Sequence, residues 1–137
     1  MLLSYYVMHS SLERRDASMD NAQLLKGVLE GCVLAIIAEG ETYGYEIIGA
    51  LEKVGFEEIG EGTLYPVLTR LDKNKLILCR RAKSPLGPVR KYYSITDEGT
   101  RALNEFKERY RKISSSAGMI LFGDHALDET KRNGGKL

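Results

Sequence analysis

The sequence predicts a mainly α-helical fold with a small two-stranded β wing, namely a winged helix-turn-helix followed by a long C-terminal helix. Three observations support this fold class. Segments with helical spacing of apolar residues occur three times before a β-branched, aromatic-rich hairpin and once after it. The basic residues are concentrated in residues 70–91, which carry a net charge of +7, whereas the rest of the chain carries −6. The last helical segment repeats its apolar residues in steps of three and four.

The bulk composition is typical of one globular domain, because 43% of the 137 residues are hydrophobic and 28% are charged. The longest apolar run, residues 33–38, is far shorter than the ~20 residues that cross a bilayer. The apolar start "MLLSYYVMHSS" lacks the basic segment of a signal peptide. We therefore expect a cytoplasmic protein without a membrane partner.

No catalytic or metal-binding pattern is present in the sequence. His9 and His125 lie at opposite ends of the chain, and Cys32 and Cys79 lie in separate apolar stretches, where we expect buried, reduced thiols. The sequence also lacks a phosphate-cradling glycine motif, a G-x-S-x-G elbow and an H-E-x-x-H pair. We predict that the protein is not an enzyme and has no cofactor and no metal site.

The first predicted helix covers residues 20–38, with Asp20 or Asn21 as its N-cap and Gly40 after its end. It follows an N-terminal extension, residues 1–19, which we expect either to be disordered or to form a short helix on the dimer. The apolar residues of the first helix leave almost no polar face: they are Leu24, Leu25, Val28, Leu29, Cys32, Val33, Ile36 and Ile37. A helix of this kind is covered from two sides, and in so small a domain a partner subunit is expected to cover the second.

The segment "ETYGYEIIGALEKV" predicts a second, shorter helix, with Thr42 as its N-cap and Gly55 at its end.

The third predicted helix, in "GEGTLYPVLTRLDK", contains a proline near its start. With the N-cap near Gly60, Pro66 is about the sixth helical residue, and its ring removes the bond to the carbonyl of Gly62. We therefore expect a loosened first turn, from which Thr63, Tyr65 and Pro66 point away from the buried leucines. The alternative is an ordinary irregularity at a helix start.

The segments "LILCRRAK" and "VRKYYSI" are joined by "SPLGP", which predicts a hairpin with an exposed, basic tip. The +7 block covers this hairpin and the end of the third helix. A block of this kind is either a solvated face or a surface that faces phosphates.

The last predicted helix starts at "TDEG", where Thr96 is the expected N-cap and two acidic residues suit the helix dipole. Its apolar residues recur in the steps 3, 4, 3, 4, 3 at Leu103, Phe106, Tyr110, Ile113, Ala117 and Ile120. This narrow stripe either packs on the domain's own core or, as its terminal position favours, on a partner's helix. The predicted units are thus an extension (1–19), a winged helix-turn-helix (20–95), a dimerisation helix (96–122) and a polar tail (123–137).

Four motifs, in this order, carry a family resemblance: "GVLEGCVLAII", "YGYEI", "GTLYPVLTRL" followed by "LI", and "RKYYSITDEG". Over residues 24–110 the chain resembles the PadR family of transcriptional regulators, in particular its short subfamily with a single long C-terminal helix. The resemblance implies a winged helix that dimerises through its first and last helices. It also implies a repressor that a small molecule or a stress signal releases from DNA.

Carried over residue by residue, the resemblance implies that "GTLYP" contacts DNA, with Arg70 behind it, that Tyr43 lies near a phosphate, and that Tyr93 turns inward. The wing turn "KSPLGPVRK" departs from the family, because it has prolines where many relatives have a glycine-rich tip. The predicted contacts to a palindromic, double-stranded operator are Tyr43, Thr63, Tyr65, Pro66, Arg70, Lys73, Lys83, Arg90 and Lys91. The predicted homodimer interface comprises Leu25, Val28, Leu29, Leu103, Phe106, Tyr110, Ile113, Ala117 and Ile120.

Two further hypotheses concern ligands. A small aromatic effector could stack on Phe106 and Tyr110 between the subunits, although Tyr110 could equally serve in packing alone. The alternative to a DNA-binding repressor is a winged helix that acts only as a ligand-binding or protein-interaction module. The +7 block argues against that alternative.

Overall fold

The computed structural model describes residues 21–123, so the predictions for the extension, for the polar tail and for Asp20 as an N-cap lie outside the described residues. The described part confirms the predicted fold class. In chain order the elements are α1 (Asn21–Ala38), β1 (Thr42–Tyr43), α2 (Gly44–Lys53), α3 (Glu61–Lys73), β2 (Ile77–Lys83), β3 (Val89–Ile95) and α4 (Asp97–Phe122).

The sheet has three antiparallel strands in the order β1-β3-β2, one more than predicted. The added strand is β1, in which Thr42 pairs with Tyr93. Thr42 is therefore not the N-cap of α2. That position belongs to Tyr43, whose side chain makes no capping bond, while the buried Thr42 donates its hydroxyl proton to Glu46 Oε2 at 2.7 Å.

The core lies where α1 meets α2, α3 and the inner end of the sheet. Its fully buried side chains include Val33 and Ile37 of α1, Leu51 of α2, and Leu68 and Leu71 of α3. Tyr93, predicted to turn inward, is 5% exposed and completes the core from β3. Among residues 21–123, the structure contains no helix that is both long and apolar enough to cross a membrane.

Helix α4 is held against the body of the domain at two glycines. A Cβ atom at Gly99 would lie 2.0 Å from the carbonyl oxygen of Leu76, and one at Gly31 would lie 2.1 Å from Cε1 of Phe106. Thr96 is the N-cap of α4, as predicted, because its hydroxyl accepts a hydrogen bond from the backbone N–H of Gly99 at 3.0 Å. These contacts determine the direction in which α4 leaves the domain.

The apolar stripe of α4 divides into a buried and an exposed part. Leu103 is 5% exposed and belongs to the chain's own core, as does Leu29 of α1 at 3%, so both were wrongly predicted as dimer contacts. Farther along α4, Ile113 is 69% exposed and Ile120 is 86% exposed. Among residues 21–123, the stripe therefore packs on the domain over its first turns only.

Candidate nucleic-acid interface

Helix α3 is continuous through Pro66, which is its sixth residue after the N-cap Gly60. The backbone N–H of Leu64 donates to the carbonyl of Gly60 at 3.0 Å, so the first turn is closed and the predicted loosening is wrong. A proline removes only its own bond, here to the carbonyl of the exposed Gly62, where water can replace it. The prediction that Pro66 points away from the buried face is correct.

The outward surface of α3 follows from its buried face. The buried side chains are Leu64, Val67, Leu68 and Leu71. At about 100° per residue, the positions opposite them are Gly62, Pro66, Thr69 and Lys73, which we call the outward stripe. Thr69 was missed in the sequence, because only the burial of its neighbours shows that it lies on this face.

The two flanks of α3 face different neighbours. Thr63 and Arg70 border a groove toward α1, where Arg70 Nε lies 3.6 Å from Glu30 Oε1. Tyr65 lies on the opposite flank and is 43% exposed. Its phenol oxygen would be 3.4 Å from a Cβ atom at Gly44, so Tyr65 reaches across to the start of α2.

An open groove of about 540 Å³ separates the start of α2, Tyr65 and the tip of β3, and we call it the wing groove. Tyr43, Gly44, Arg90 and Lys91 also line it. The N-cap Tyr43 makes no side-chain capping bond, so the first-turn N–H groups of α2, which no side chain of the described residues caps, lie beside these cations. The groove thus combines a helix N-terminus, positive charge and aromatic rings.

The wing has two chemically different faces, because successive strand residues point to opposite sides. The inner face continues from the buried Ile77 and Tyr93 and carries three cations, which we call the inner-face cations: Arg81, Lys83 and Lys91. Arg81 is directly opposite Lys91 in the register. The outer face carries Arg80 and Arg90.

Both outer-face arginines contact other side chains. Arg80 forms two hydrogen bonds to the Glu41 carboxylate, and the Arg90 guanidinium carbon lies 4.1 Å from the centre of the Tyr43 ring. Two residues predicted to contact DNA, Tyr43 and Arg90, therefore contact each other. Within residues 21–123, the inner-face cations and Lys73 take part in no ion pair.

Tyr93 connects the inner face of the wing to α3. Burial, followed by its interactions with Cys79, Tyr65 and Asp72, raises the pKa of Tyr93 to about 12. Tyr93 also lines the wing groove together with Tyr65 and Lys91, so the inner face of the wing faces the Tyr65 flank of α3. Lys91, one of the inner-face cations, therefore lies across the wing groove from the flank of α3 that borders the outward stripe.

The two cysteines differ in exposure, so the prediction that both thiols are buried is wrong for Cys79. Cys79 lies on β2 beyond the core and is exposed, whereas Cys32 is partly buried, and burial raises the pKa of its thiol. Among residues 21–123 there is no group of three or more side chains that could hold a metal ion.

A second surface is apolar and lies away from the wing. The ring of Phe106 covers Gly31 and stacks on Tyr110 with centroids 6.1 Å apart. Tyr110 is 48% exposed and borders a groove of about 490 Å³ that Leu25 and Val28 of α1 also line. The end of α4 carries three further exposed large side chains that the predicted dimer interface lacks, namely Met119, Leu121 and Phe122.

Known proteins that are similar to this chain include transcriptional regulators. Residues 33–105 match the "Transcriptional regulator PadR-like family". The chain is similar to the crystal structure of a PadR-like transcriptional regulator from Bacillus cereus, with 49% identity, a TM-score of 0.65, and coverage of 72% of this chain and 96% of that one. A Streptococcus transcriptional regulator gives 45% identity, a TM-score of 0.64 and the same coverage of both chains.

A protein of Lysinibacillus sphaericus is 32% identical over 108 residues, which are 77% of this chain and 98% of that one. The family match covers the whole of the wing, α2 and α3, which form the surface described above. The chain belongs to the PadR-like family of transcriptional regulators, and it is a DNA-binding regulator of transcription.

Proposed function

We propose that the protein is a cytoplasmic, homodimeric repressor that binds a palindromic operator and that a small-molecule or stress signal releases. One observation carries the DNA-binding part of the proposal. Tyr65, on the flank of α3 next to the outward stripe, lines the wing groove together with Lys91, one of the inner-face cations. An α-helix fits the major groove, while cations next to it neutralise the backbone phosphates.

The outward stripe supplies different kinds of contact to the major groove. The methyl group of Thr69 and the ring of Pro66 can pack on thymine methyls, while Lys73 and the Thr69 hydroxyl can reach base edges or phosphates. Gly62 has no side chain and open space around it, so the α3 backbone can approach DNA closely. Tyr65 reaches DNA from the flank.

Phosphate contacts are assigned to the wing and to α2. Lys83 and Lys91 carry charges that no other side chain of the described residues neutralises. The uncapped start of α2 offers its N–H groups to a phosphate in the wing groove, beside Tyr43. Thr63 and Arg70 lie on the α1 flank and are expected to contribute less.

The homodimer is supported by the exposed apolar surface of α1 and α4. Leu25, Val28, Tyr110, Ile113 and Ile120 would form a continuous patch that a monomer leaves in water. A two-fold axis through this patch pairs like residues of two subunits and presents two α3 helices to a two-fold symmetric operator. Ala117 lies between Ile113 and Ile120 on the same stripe.

The stacked rings of Phe106 and Tyr110 support the hypothesis that a flat aromatic effector binds beside them. The groove between Tyr110 and α1 lies at the proposed subunit contact, where a ligand could change the separation of the two α3 helices. An effector of this kind would be held by stacking and apolar contact.

Fluorescence anisotropy with DNA from the promoter of the protein's own gene tests the proposal, with a scrambled duplex as the control. We expect tight binding to one promoter segment, steep weakening with salt, and a dimer by light scattering. Equal affinity for the promoter and the scrambled duplex would instead support the ligand-binding or protein-interaction module.

A further inference from the structure

The outer face of the wing carries a two-point ion pair between Arg80 and Glu41. Arg80 Nη2 donates to Glu41 Oε1 at 2.6 Å and Arg80 Nε donates to Oε2 at 3.1 Å. The guanidinium carbon of Arg80 also lies 5.0 Å from the centre of the Tyr92 ring. The hydrogen bond from Arg80 is the main reason why the pKa of the Glu41 carboxyl is lowered.

The position of this ion pair in the sheet gives it a mechanical role. Glu41 directly precedes β1, Arg80 lies in β2, and β3 lies between these two strands. The pair therefore spans the whole sheet, above Tyr92 of β3. Because β1 contributes only the pairs Thr42 with Tyr93 and Tyr43 with Tyr92, backbone bonding alone holds this edge weakly.

A second contact crosses the same edge. Arg90 of β3 lies over the ring of Tyr43, and the Tyr43 and Tyr92 rings meet edge to face with centroids 5.8 Å apart. Strand β1 continues without a break into α2 at Gly44. Whatever holds β1 to the wing therefore also determines the position of the wing relative to the start of α2.

From this geometry we propose that Arg80 and Glu41 form a positioning clamp for the wing, rather than a phosphate contact. The proposal rests on the proposed function and assigns Arg80, a member of the +7 block, to a contact within the protein instead of a contact with DNA. The clamp holds the inner-face cations and the start of α2 in the arrangement that binds DNA.

The clamp affects DNA affinity through pre-organisation. Without the clamp the wing is less ordered in the free protein, and ordering it when DNA binds costs free energy. Affinity therefore falls, although the complex still makes every phosphate contact. We expect operator affinity to fall about two- to fivefold for each subunit of the dimer, the range for one exposed ion pair of good geometry. The salt dependence of binding should stay unchanged, because it reports the number of neutralised phosphates.

Three variants and one matched control test the clamp. Glu41→Gln and Arg80→Met each remove the ion pair, and the double variant removes the same single interaction, so its effect should equal that of either single variant. Glu39→Gln is the control, because Glu39 is an exposed acid of the same loop that forms no ion pair within the described residues. Two measurements are made: hydrogen–deuterium exchange of the β1 and β3 amides in free protein, and operator affinity at several salt concentrations.

We expect both single variants and the double variant to show the same faster exchange and the same fall in affinity, with an unchanged salt slope. Glu39→Gln should exchange as the wild type does. If Arg80 binds phosphate instead, Arg80→Met will flatten the slope, Glu41→Gln will raise affinity, and exchange will be unaltered. That result overturns the clamp.

The exchange measurement keeps this proposal separate from the proposed function. If the wild-type protein binds no operator, the proposed function fails, yet faster exchange in both Glu41→Gln and Arg80→Met still supports the clamp. Unchanged exchange in these variants overturns the clamp whether or not DNA binds.

Discussion

Replacing Lys91 by alanine should remove a phosphate contact from each subunit without disturbing the fold. Lys91 is exposed on the inner face of the wing, opposite Arg81, and forms no ion pair within residues 21–123. Its loss exposes no core residue, so stability should change by no more than about 0.5 kcal/mol. The effect should appear in the salt dependence of DNA binding.

The size of the salt dependence follows from the number of inner-face cations. Three per subunit give six phosphate contacts in a dimer, and the slope of log affinity against log salt is then about −5.4. Between 50 and 200 mM salt the wild type should lose about 2,000-fold in affinity, since each contact contributes a slope of about −0.9. Lys91→Ala leaves four contacts, so the slope should be about −3.6 and the loss about 150-fold.

The assay is fluorescence anisotropy with operator and scrambled duplexes over this salt range. Lys53→Ala is the matched control, because Lys53 ends α2 and lies about 14 Å along the helix from Gly44 in the wing groove. We expect Lys91→Ala to weaken binding to both duplexes alike and Lys53→Ala to retain the wild-type slope. Equal slopes for wild type and Lys91→Ala would refute the assignment of the inner face to DNA.

Four further predictions concern the subunit contact, the core and the DNA-binding flank of α3. Ile113→Asp should give a monomer or insoluble protein, and a well-behaved dimer by light scattering would contradict the proposed interface. Gly31→Ala should cost about 1–3 kcal/mol of unfolding free energy, because its Cβ would overlap Phe106; an unchanged melting temperature would show that α4 moves freely. Tyr65→Ala should weaken operator binding by ~1–3 kcal/mol and spare scrambled DNA; parallel losses of both affinities and of thermal stability would mean that Tyr65 only packs against α2. The pKa of Tyr93 is raised from 10.0 to about 12, so the stability that its buried, neutral phenol contributes is complete below pH 10 and is lost as the pH rises toward 12. In urea titrations Tyr93→Phe should remove this loss, and a pH profile identical to that of the wild type would contradict the linkage.

Features determined by neighbouring residues could be predicted from the sequence. Gly60 and Thr96 were identified as N-caps because capping depends on a few adjacent residues, and the structure agrees at both positions. Thr42 was assigned wrongly because its strand partner, Tyr93, is distant in the chain. The three-stranded sheet could not be derived from a two-residue segment.

The candidate site likewise combines features that adjacent residues determine with features that depend on residues distant in the chain. The basic block was evident in the sequence, but its distribution over the two faces of the wing depends on the register of β2 and β3. Arg80 forms its ion pair with Glu41, which is 39 positions away in the chain, so the sequence does not show this contact. Likewise, heptad spacing could not separate Leu103, which lies in the chain's own core, from the exposed Ile113.

The most direct test of the proposed function is a hydroxyl-radical footprint of the wild-type protein on the promoter of its own gene. A dimer that places two α3 helices in successive major grooves should protect two half-sites about 10 bp apart, related by a palindrome. The inner-face cations should add protection of the backbone beside each half-site. Protection of a single unpaired site, or of no site at concentrations that saturate the duplex, would contradict a dimeric operator-binding repressor.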